Sequence, residues 1–511
     1  MKNFKTAIAL ILAVLMTVPF AVISFAAEED GSYEITNPYA DVDWDTYIAY
    51  KTALHTHTNA SDGDDTLKAS LQRHAETGFD IIATTDHGTV NYSWTENSEN
   101  KLIFGAMSLV GKTEGAIVPL GTSGEFENGV SYNVITENGD DYLVLEDGSR
   151  ILRVPFGNEN NAISVNAHVN GWFADFTQTK ITTYEDAVKG IDNAGGVSVI
   201  NHPGEYTKAR YEIRSEEAYN EDNFIYRYYI NKFASLLDRY DSCIGIDINS
   251  KGDGRTRFDR ILWDNLLKRF AANGENVYAI ASSDAHNLNI IDSGYVLALM
   301  PELSSEALRS SLTSGEFFAA SHCLGNFDEL RDIAAALKEF YGETELYSKV
   351  NGTADEMLAR IEAIENGDLA ADEDIGITYS TLENGYNTVE ADPRITAIEV
   401  NEATDEITVA TTDALIVRWI SDGKLIETQM ADNATLDLND YADVLGDYVR
   451  IEVFGEGGIV YTQPFLLDAS AKAGTASPVD SSYTDWGILD FLVAEFNNWF
   501  AIIGRFFSNL F

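Results

Sequence analysis

Short apolar runs recur between residues 47 and 320, and each leads straight into a polar cluster. Phe79 to Thr84, Val197 to Ile200, Ile244 to Ile248 and Val277 to Ala281 are rich in β-branched residues, and they predict short buried strands. Between them, Thr66 to Thr77, Thr183 to Ala194 and Arg257 to Asn273 carry apolar residues at helical spacing. Gly78, Gly195 and Gly274 follow these helices as C-terminal caps. Strands that alternate with helices and end in polar residues predict an α/β fold, a parallel sheet or barrel with its site at the strand C-termini.

The pattern changes in several places. Phe126 to Phe156 alternates apolar and polar residues around Glu-Asn-Gly and Glu-Asp-Gly turns, which predicts hairpins inserted at the barrel rim. Residues 326–390 read as a helical insert and connector. Leu330, Ile333, Leu337 and Phe340 form one stripe of it, and Met357, Ile361 and Ile364 another. Residues 391–468 turn to short strands separated by Asp, Gly and Asn, the texture of a small β-sandwich.

The two ends differ again. Residues 1–26 hold Lys2 and Lys5, an apolar run from Ala7 to Phe25 and a small-x-small ending at Ser24-Phe25-Ala26, which reads as a secretory signal peptide. Residues 469–484 read as an Ala/Ser/Thr-rich linker. Residues 485–511 place many aromatic and aliphatic residues at helical spacing with Asp490, Glu495 and Arg505 as charges beyond Trp486. Such an amphipathic helix suits either a membrane surface or docking onto the rest of the chain.

Composition narrows the partners. The formal charge is −48 over 511 residues, and losing Lys2 and Lys5 with the leader makes it more negative still. Such a surface repels polyanions and argues against long nucleic acid, while a small anionic ester remains accessible to local positive charge. Cys243 and Cys323 are the two cysteines of a chain expected outside the cell, secreted and in possible contact with the cell surface, so no disulfide framework is expected.

The chemistry lies in the histidines. Six of the eight fall in short polar clusters: His55-Thr-His57, Asp86-His87, Asn-Ala-His168, Asn-His202-Pro and Asp284-Ala-His286. On a strand His55 and His57 share a face, so one ion can take both rings. A turn over Asn59 to Gly63 returns Asp62 to the same mouth. Imidazole and carboxylate together suit Zn, Mn or Fe, and a set this large points to more than one ion. Neither a Gly-x-Ser-x-Gly elbow nor a phosphate-cradling Gly-Lys-Ser loop is present.

Taken in order, LHTHTNASDG, AETGFDIIATTDH, GEFE, NAH, NHP and SSDAH resemble the PHP family, named for polymerase and histidinol phosphatase, over about residues 48–325. Within it the chain looks most like secreted, carbaryl-hydrolase-like members. The resemblance implies a distorted (β/α)7 barrel holding two or three divalent ions (Mn, Zn or Fe) that hydrolyse small phosphate esters or, in some branches, other esters. It also implies the ligands His55, His57, Asp62, His87, Glu125, His168, His202, Asp284 and His286. Glu125 is favoured over Glu127, which shares its strand face. Asp86 is expected to orient a histidine, and His202 is the candidate leaving-group acid if it is not a full ligand.

One departure bears on substrate. Phosphatase-like relatives tend to place an arginine soon after His-Pro, whereas this chain has Glu205, with Lys208 and Arg210 further on. A carboxylate there repels phosphate unless it faces away, which raises a carboxylic-ester or carbamate hydrolase as the alternative. From another class comes a non-catalytic surface-binding protein with a structural metal site. Asp247 and Asn249, ending a strand, are further candidates for contacts at the mouth, and His322 is a candidate rim contact. His74 reads as packing.

Overall fold

The expected strands and helices form near their expected places. The computed structural model describes residues 33–99, 101, 116–160, 168–179, 183–207, 209–369, 376–383, 390–432, 434–469 and 496. The leader, all but the first residue of the linker, and the C-terminal helix apart from Phe496 lie outside these residues, as does Lys208.

Ile48–Ala53 and Ile81–Ile82 pair in parallel, joined by the helix Leu67–Glu76, whose first turn is capped by the Thr66 hydroxyl. Val197–Asn201, Cys243–Asn249 and Tyr278–Ala281 form a second parallel set, connected through the helices Phe224–Arg239 and Asp259–Phe270. The helix Tyr184–Asn193 begins with a capping box between Thr183 and Asp186. Three apolar clusters fill these layers. Ile246, Ile248, Leu262 and Trp263 lie in one, Leu71, Phe79 and Ile82 in a second, and Ile81, Val197, Val199 and Ile280 in a third.

The described residues form a mixed α/β arrangement of several sheets, and no closed barrel is found among them. A long sheet contains Ile48–Ala53, and a separate five-stranded sheet contains Cys243–Asn249. Several neighbours are antiparallel: Gly294–Met300 against Ile48–Ala53, and His168–Trp172 against both Asn158–Asn160 and Val197–Asn201. For Asn158–Asn160 and His168–Trp172 the reason is connection length. A parallel crossover needs a dozen or more residues, and only 161–167 separate Asn158–Asn160 from His168–Trp172. The two sheets meet along seams that include few backbone hydrogen bonds. His57 N donates to Ala285 O at 2.9 Å, and Glu159 N donates to Thr85 O at 3.0 Å.

Ser123–Glu125, Ser131–Glu137, Asp140–Leu145 and Arg150–Arg153 form antiparallel hairpins. Phe327–Tyr341 and Glu345–Glu365 are paired helices that bury Leu330, Ile333, Leu337, Met357 and Ile361. A separate C-terminal sandwich is not evident. Gly458–Tyr461 is hydrogen-bonded to Phe317–Ser321, so Ile416–Ser421, Lys424–Met430, Tyr448–Gly455, Gly458–Tyr461 and Phe465–Ala469 extend the long sheet, whereas Arg394–Asn401, Glu406–Thr412 and Ala434–Asp437 form a three-stranded sheet of their own; one apolar cluster runs from Phe79 through Trp419 to Val453. None of the described helices is long and apolar enough to cross a membrane. Cys243 and Cys323 are both buried and free.

Candidate metal centre

Eight of the nine expected ligands converge at the ends of these strands. His55 and His57 leave Ile48–Ala53 with their Nε2 atoms 3.1 Å apart. Each lies 3.2–3.3 Å from Asp284 Oδ1. Asp62 returns through the tight turn the sequence suggested: a Cβ on Gly63 would stand 2.8 Å from the His57 carbonyl, so only glycine allows this closure. Asp62 then lies 3.3 Å from His57 Nδ1 and 3.2 Å from His286 Nε2. Asp284 and His202 hold positive φ angles of 45° and 26°, a costly backbone state for non-glycine residues that recurs at functional sites.

Glu125 is the exception. It lies exposed on Ser123–Glu125 at the end of the long sheet and joins none of the clustered groups; Glu127 is exposed as well. Glu159 stands in the cluster instead, fully buried. Its Oε2 is 3.2 Å from His55, 3.1 Å from His57 and 3.3 Å from His87, and its Oε1 is 3.1 Å from His168 and 3.2 Å from His202. Asn201 donates to Oε1 at 2.7 Å and holds the carboxylate in place. Gly157 makes this possible, because a Cβ there would meet Thr84 O at 2.4 Å. The local sequence does not separate the two carboxylates, since apolar residues precede both: Ala116 to Leu120 before GEFE, and Ile151, Leu152 and Val154 before Glu159.

Glu159 and Asp284 each divide their oxygens between two sets of imidazoles. Asp284 Oδ1 faces His55 and His57, while Oδ2 lies 3.3 Å from His202. Four overlapping groups result that can hold a metal ion: His55, His57, Glu159 and Asp284; His57, Asp62 and His87; His87, Glu159 and His168; and His202, Glu205 and Asp284. The donor set fits divalent cations of the zinc and manganese type. Ligand atoms bound tetrahedrally at about 2.1 Å stand about 3.4 Å apart, close to the separations found here. Both oxygens of buried Asp284 lack a hydrogen-bond partner of acceptable geometry, as does His202 Nδ1. His87 Nδ1 donates to the Glu159 carbonyl and His286 Nδ1 to the Asp284 carbonyl, which leaves each Nε2 facing the cluster as an acceptor.

The electrostatics point the same way. Burial pushes His87 down to about 4, keeping it neutral near pH 7 as a ligand must be. Burial and the Lys251 ammonium hold His202 below its ordinary value. For His57, burial is outweighed by Asp62, Asp284 and Glu159, and its pKa rises well above the ordinary value. Carboxylates that draw a proton this strongly draw a divalent cation for the same reason. Glu159 and Asp284 remain ionised against their burial because imidazoles surround them.

Asp86 accepts from Thr58 N and Thr58 Oγ1, each at 2.7 Å, and from Ser61 Oγ at 2.8 Å. It therefore reaches His57 only through Ser61, whose Oγ lies 3.3 Å from His57 Nδ1. His202 points Nε2 into the cluster between Glu159 and Asp284, the placement of a ligand rather than of a free acid. Glu205 faces three cations. Lys251 Nζ is 2.7 Å away, Arg255 2.8 Å and Arg210 3.6 Å, and Lys251 also reaches Asp284 Oδ2 at 2.9 Å. Lys251 and Arg255 lie too far along the chain from His-Pro to have been recognised in sequence. Asp247 bonds Ser282, and Asn249 bonds Cys323 O and Ser321, so both tie strands together. His74 is packed, with Nδ1 donating to Ser70 O at 2.8 Å.

The fold and site thus define a mixed α/β protein with a buried histidine–carboxylate cluster able to hold metal ions. No protein-family model matches the chain, and no curated protein matches it. Among solved structures, it is similar to a two-domain protein from Bacteroides vulgatus ATCC 8482 described as containing a predicted PHP-like metal-dependent phosphoesterase. The identity is 14%, over 84% of this chain and 98% of that one, with a TM-score of 0.34. A likeness of that size carries no argument about this chain's chemistry.

Proposed function

We propose that this chain is a metal-dependent hydrolase of small phosphate esters, with two or three divalent ions in the cluster. The observation that supports this reading is Glu159 and Asp284, each presenting one oxygen to either side among six histidines, which is how carboxylates bridge neighbouring cations. When bound, such ions activate water as a nucleophile at neutral pH and take up charge developing on the ester oxygens.

The chain's own residues do the rest. Asn201 fixes Glu159, and the Nδ1 donations of His87 and His286 fix their ring orientations. Lys251, Arg255 and Arg210 outnumber Glu205, so the wall beside His202 is positive despite that carboxylate. A positive wall favours a phosphate ester over an uncharged carbamate. The reading extends to an exported protein: Lys2, Lys5 and the following apolar run support a leader, and the aromatic residues of 485–511 support a membrane-surface contact.

The test is turnover of phosphomonoesters, phosphodiesters, carboxylic esters and carbamates by protein stripped with EDTA and by protein reloaded with Mn or Zn. Phosphoester hydrolysis that appears only on reloading is expected. Equal turnover in stripped protein overturns the metal dependence, carbamate turnover alone moves the reading to the ester branch, and no turnover on any substrate favours a binding protein.

A further inference from the structure

Beside the histidine cluster, Glu205 is buried with a relative exposure of 8%, and cations hold it there. Its Oε2 lies 2.7 Å from Lys251 Nζ, and its Oε1 accepts from an Arg255 guanidinium nitrogen at 2.8 Å. Arg210 stands 3.6 Å from Oε1, beyond hydrogen-bond reach of it. Three cations therefore face one carboxylate, and the cradle they form is wider than that carboxylate fills. Burial alone would favour the neutral acid, but Lys251 and Arg255 hold the Glu205 carboxyl well below the ordinary carboxylate range. The occupant of the cradle is thus an anion. Lys251 also lies 2.9 Å from Asp284 Oδ2, so the cradle abuts the histidine cluster.

The backbone around the cradle is fixed. Lys251, Gly252 and Asp253 hold φ angles of 51°, 68° and 63°, a left-handed run that is strained for lysine and aspartate and persists where the surroundings enforce it. Arg260 forks onto Asp253 at 3.0 and 2.9 Å, and Gly325 N donates to the same carboxylate at 2.7 Å. On the other side, Gly204 N donates to Asp259 Oδ2 at 3.1 Å, and a Cβ on Gly204 would stand 2.4 Å from Asp259 Oδ1. The Glu205 side chain is less constrained. The Arg255 side chain is 43% exposed, so the outer edge of the cradle meets solvent, and rotation about the glutamate's own bonds carries its carboxylate out without moving the backbone.

We propose that Glu205 is a built-in competitor of the substrate: it fills the cradle of Lys251, Arg255 and Arg210, and the phosphate group of the ester displaces it. This rests on the reading of the chain as a phosphoester hydrolase. A phosphomonoester dianion carries one more charge than a carboxylate and one more terminal oxygen, so it engages Arg210 as well as Lys251 and Arg255. An uncharged ester gains nothing by the exchange and leaves Glu205 in place. Glu205 thereby sets the phosphate level at which the site fills and selects for highly charged substrates.

The experiment measures binding of inorganic phosphate by isothermal titration calorimetry to the EDTA-stripped full chain, to Glu205→Gln and to Glu205→Asp, each checked for folding by circular dichroism. Aspartate keeps the charge but withdraws it by one methylene from Lys251 and Arg255. Both variants are expected to bind phosphate about 10-fold more tightly than wild type, and adding Arg255→Ala to Glu205→Asp is expected to remove that gain. Wild-type affinity in folded Glu205→Asp overturns the proposal, because tighter binding in Glu205→Gln alone then reflects only the removed charge. A gain that survives Arg255→Ala overturns it as well, as does loss of an ion when Glu205→Asp is reloaded with Mn or Zn, which makes Glu205 a metal ligand. On the reloaded protein the KM for a phosphomonoester is expected to fall in Glu205→Asp; an unmoved KM beside tighter inorganic phosphate overturns the assignment to the ester. Because phosphate binding is read without metal, an absence of hydrolysis in every variant counts against the proposed function and leaves the displacement result standing.

Discussion

Two buried charge clusters in this protein differ in what balances them. Beneath the C-terminal strands, Arg450 forks onto Asp264 at 2.8 and 2.9 Å and reaches Glu452 at 2.6 Å, while Arg418 pairs with Glu452 and with Asp332. Nearby, Arg260 forks onto Asp253 at 3.0 and 2.9 Å and reaches Glu329 at 2.8 Å. There each buried carboxylate meets a guanidinium of matching shape, and the charges close within the chain. At the histidine cluster, Asp62, Glu159 and Asp284 face six imidazoles, and Lys251 reaches Asp284 at 2.9 Å. Burial alone therefore does not mark a functional site. A deficit of positive charge among convergent acceptors does, because that deficit has to be met from outside the chain.

The contrast can be broken at either cluster. Asp284→Asn is expected to have the largest effect, lowering kcat/KM on a phosphoester by several orders of magnitude and reducing bound metal, with the fold retained by circular dichroism. If metal content and turnover both stay at wild-type levels, the cluster is not the site. Arg450→Ala should do the reverse, costing about 3–5 kcal/mol in denaturant unfolding because buried Asp264 loses its guanidinium and Glu452 keeps only Arg418, while metal per folded chain is unchanged. A loss of metal in that variant would show that the two clusters are coupled.

Smaller changes sharpen the boundary of the site. Asp86→Asn is expected to weaken metal binding by about 10–100-fold, since Asp86 holds the loop carrying Ser61 and Asp62 rather than an ion. Competition with a chelator measures it. Glu125→Gln should leave metal content and turnover as they are, whereas Glu159→Gln should reduce both; the opposite ranking would return the ligand role to Glu125.

The sequence placed much of this correctly because its signals are local. The helices Leu67–Glu76 and Tyr184–Asn193 form between a capping threonine and a glycine or alanine at the end, as the spacing required. His55 and His57 share a face because a strand alternates, and Asp62 returns because Gly63 permits it. Glu125 carries the motif resemblance of GEFE, but it sits on a short exposed strand of the outer hairpins. The C-terminal strands read as a separate sandwich because their alternation shows one apolar face but not the partner of their edges.

By itself, then, the sequence determined which residue types this protein has for chemistry and where strands end in them, since periodicity, caps and turns act over a few residues. The tertiary structure alone decided which carboxylate joins the histidines, that Lys251 and Arg255 neutralise Glu205, and that His322 faces Asp292 and Asp392. The physical reason is that these are contacts between segments far apart in the chain. They depend on how two sheets meet, and no periodicity records that meeting.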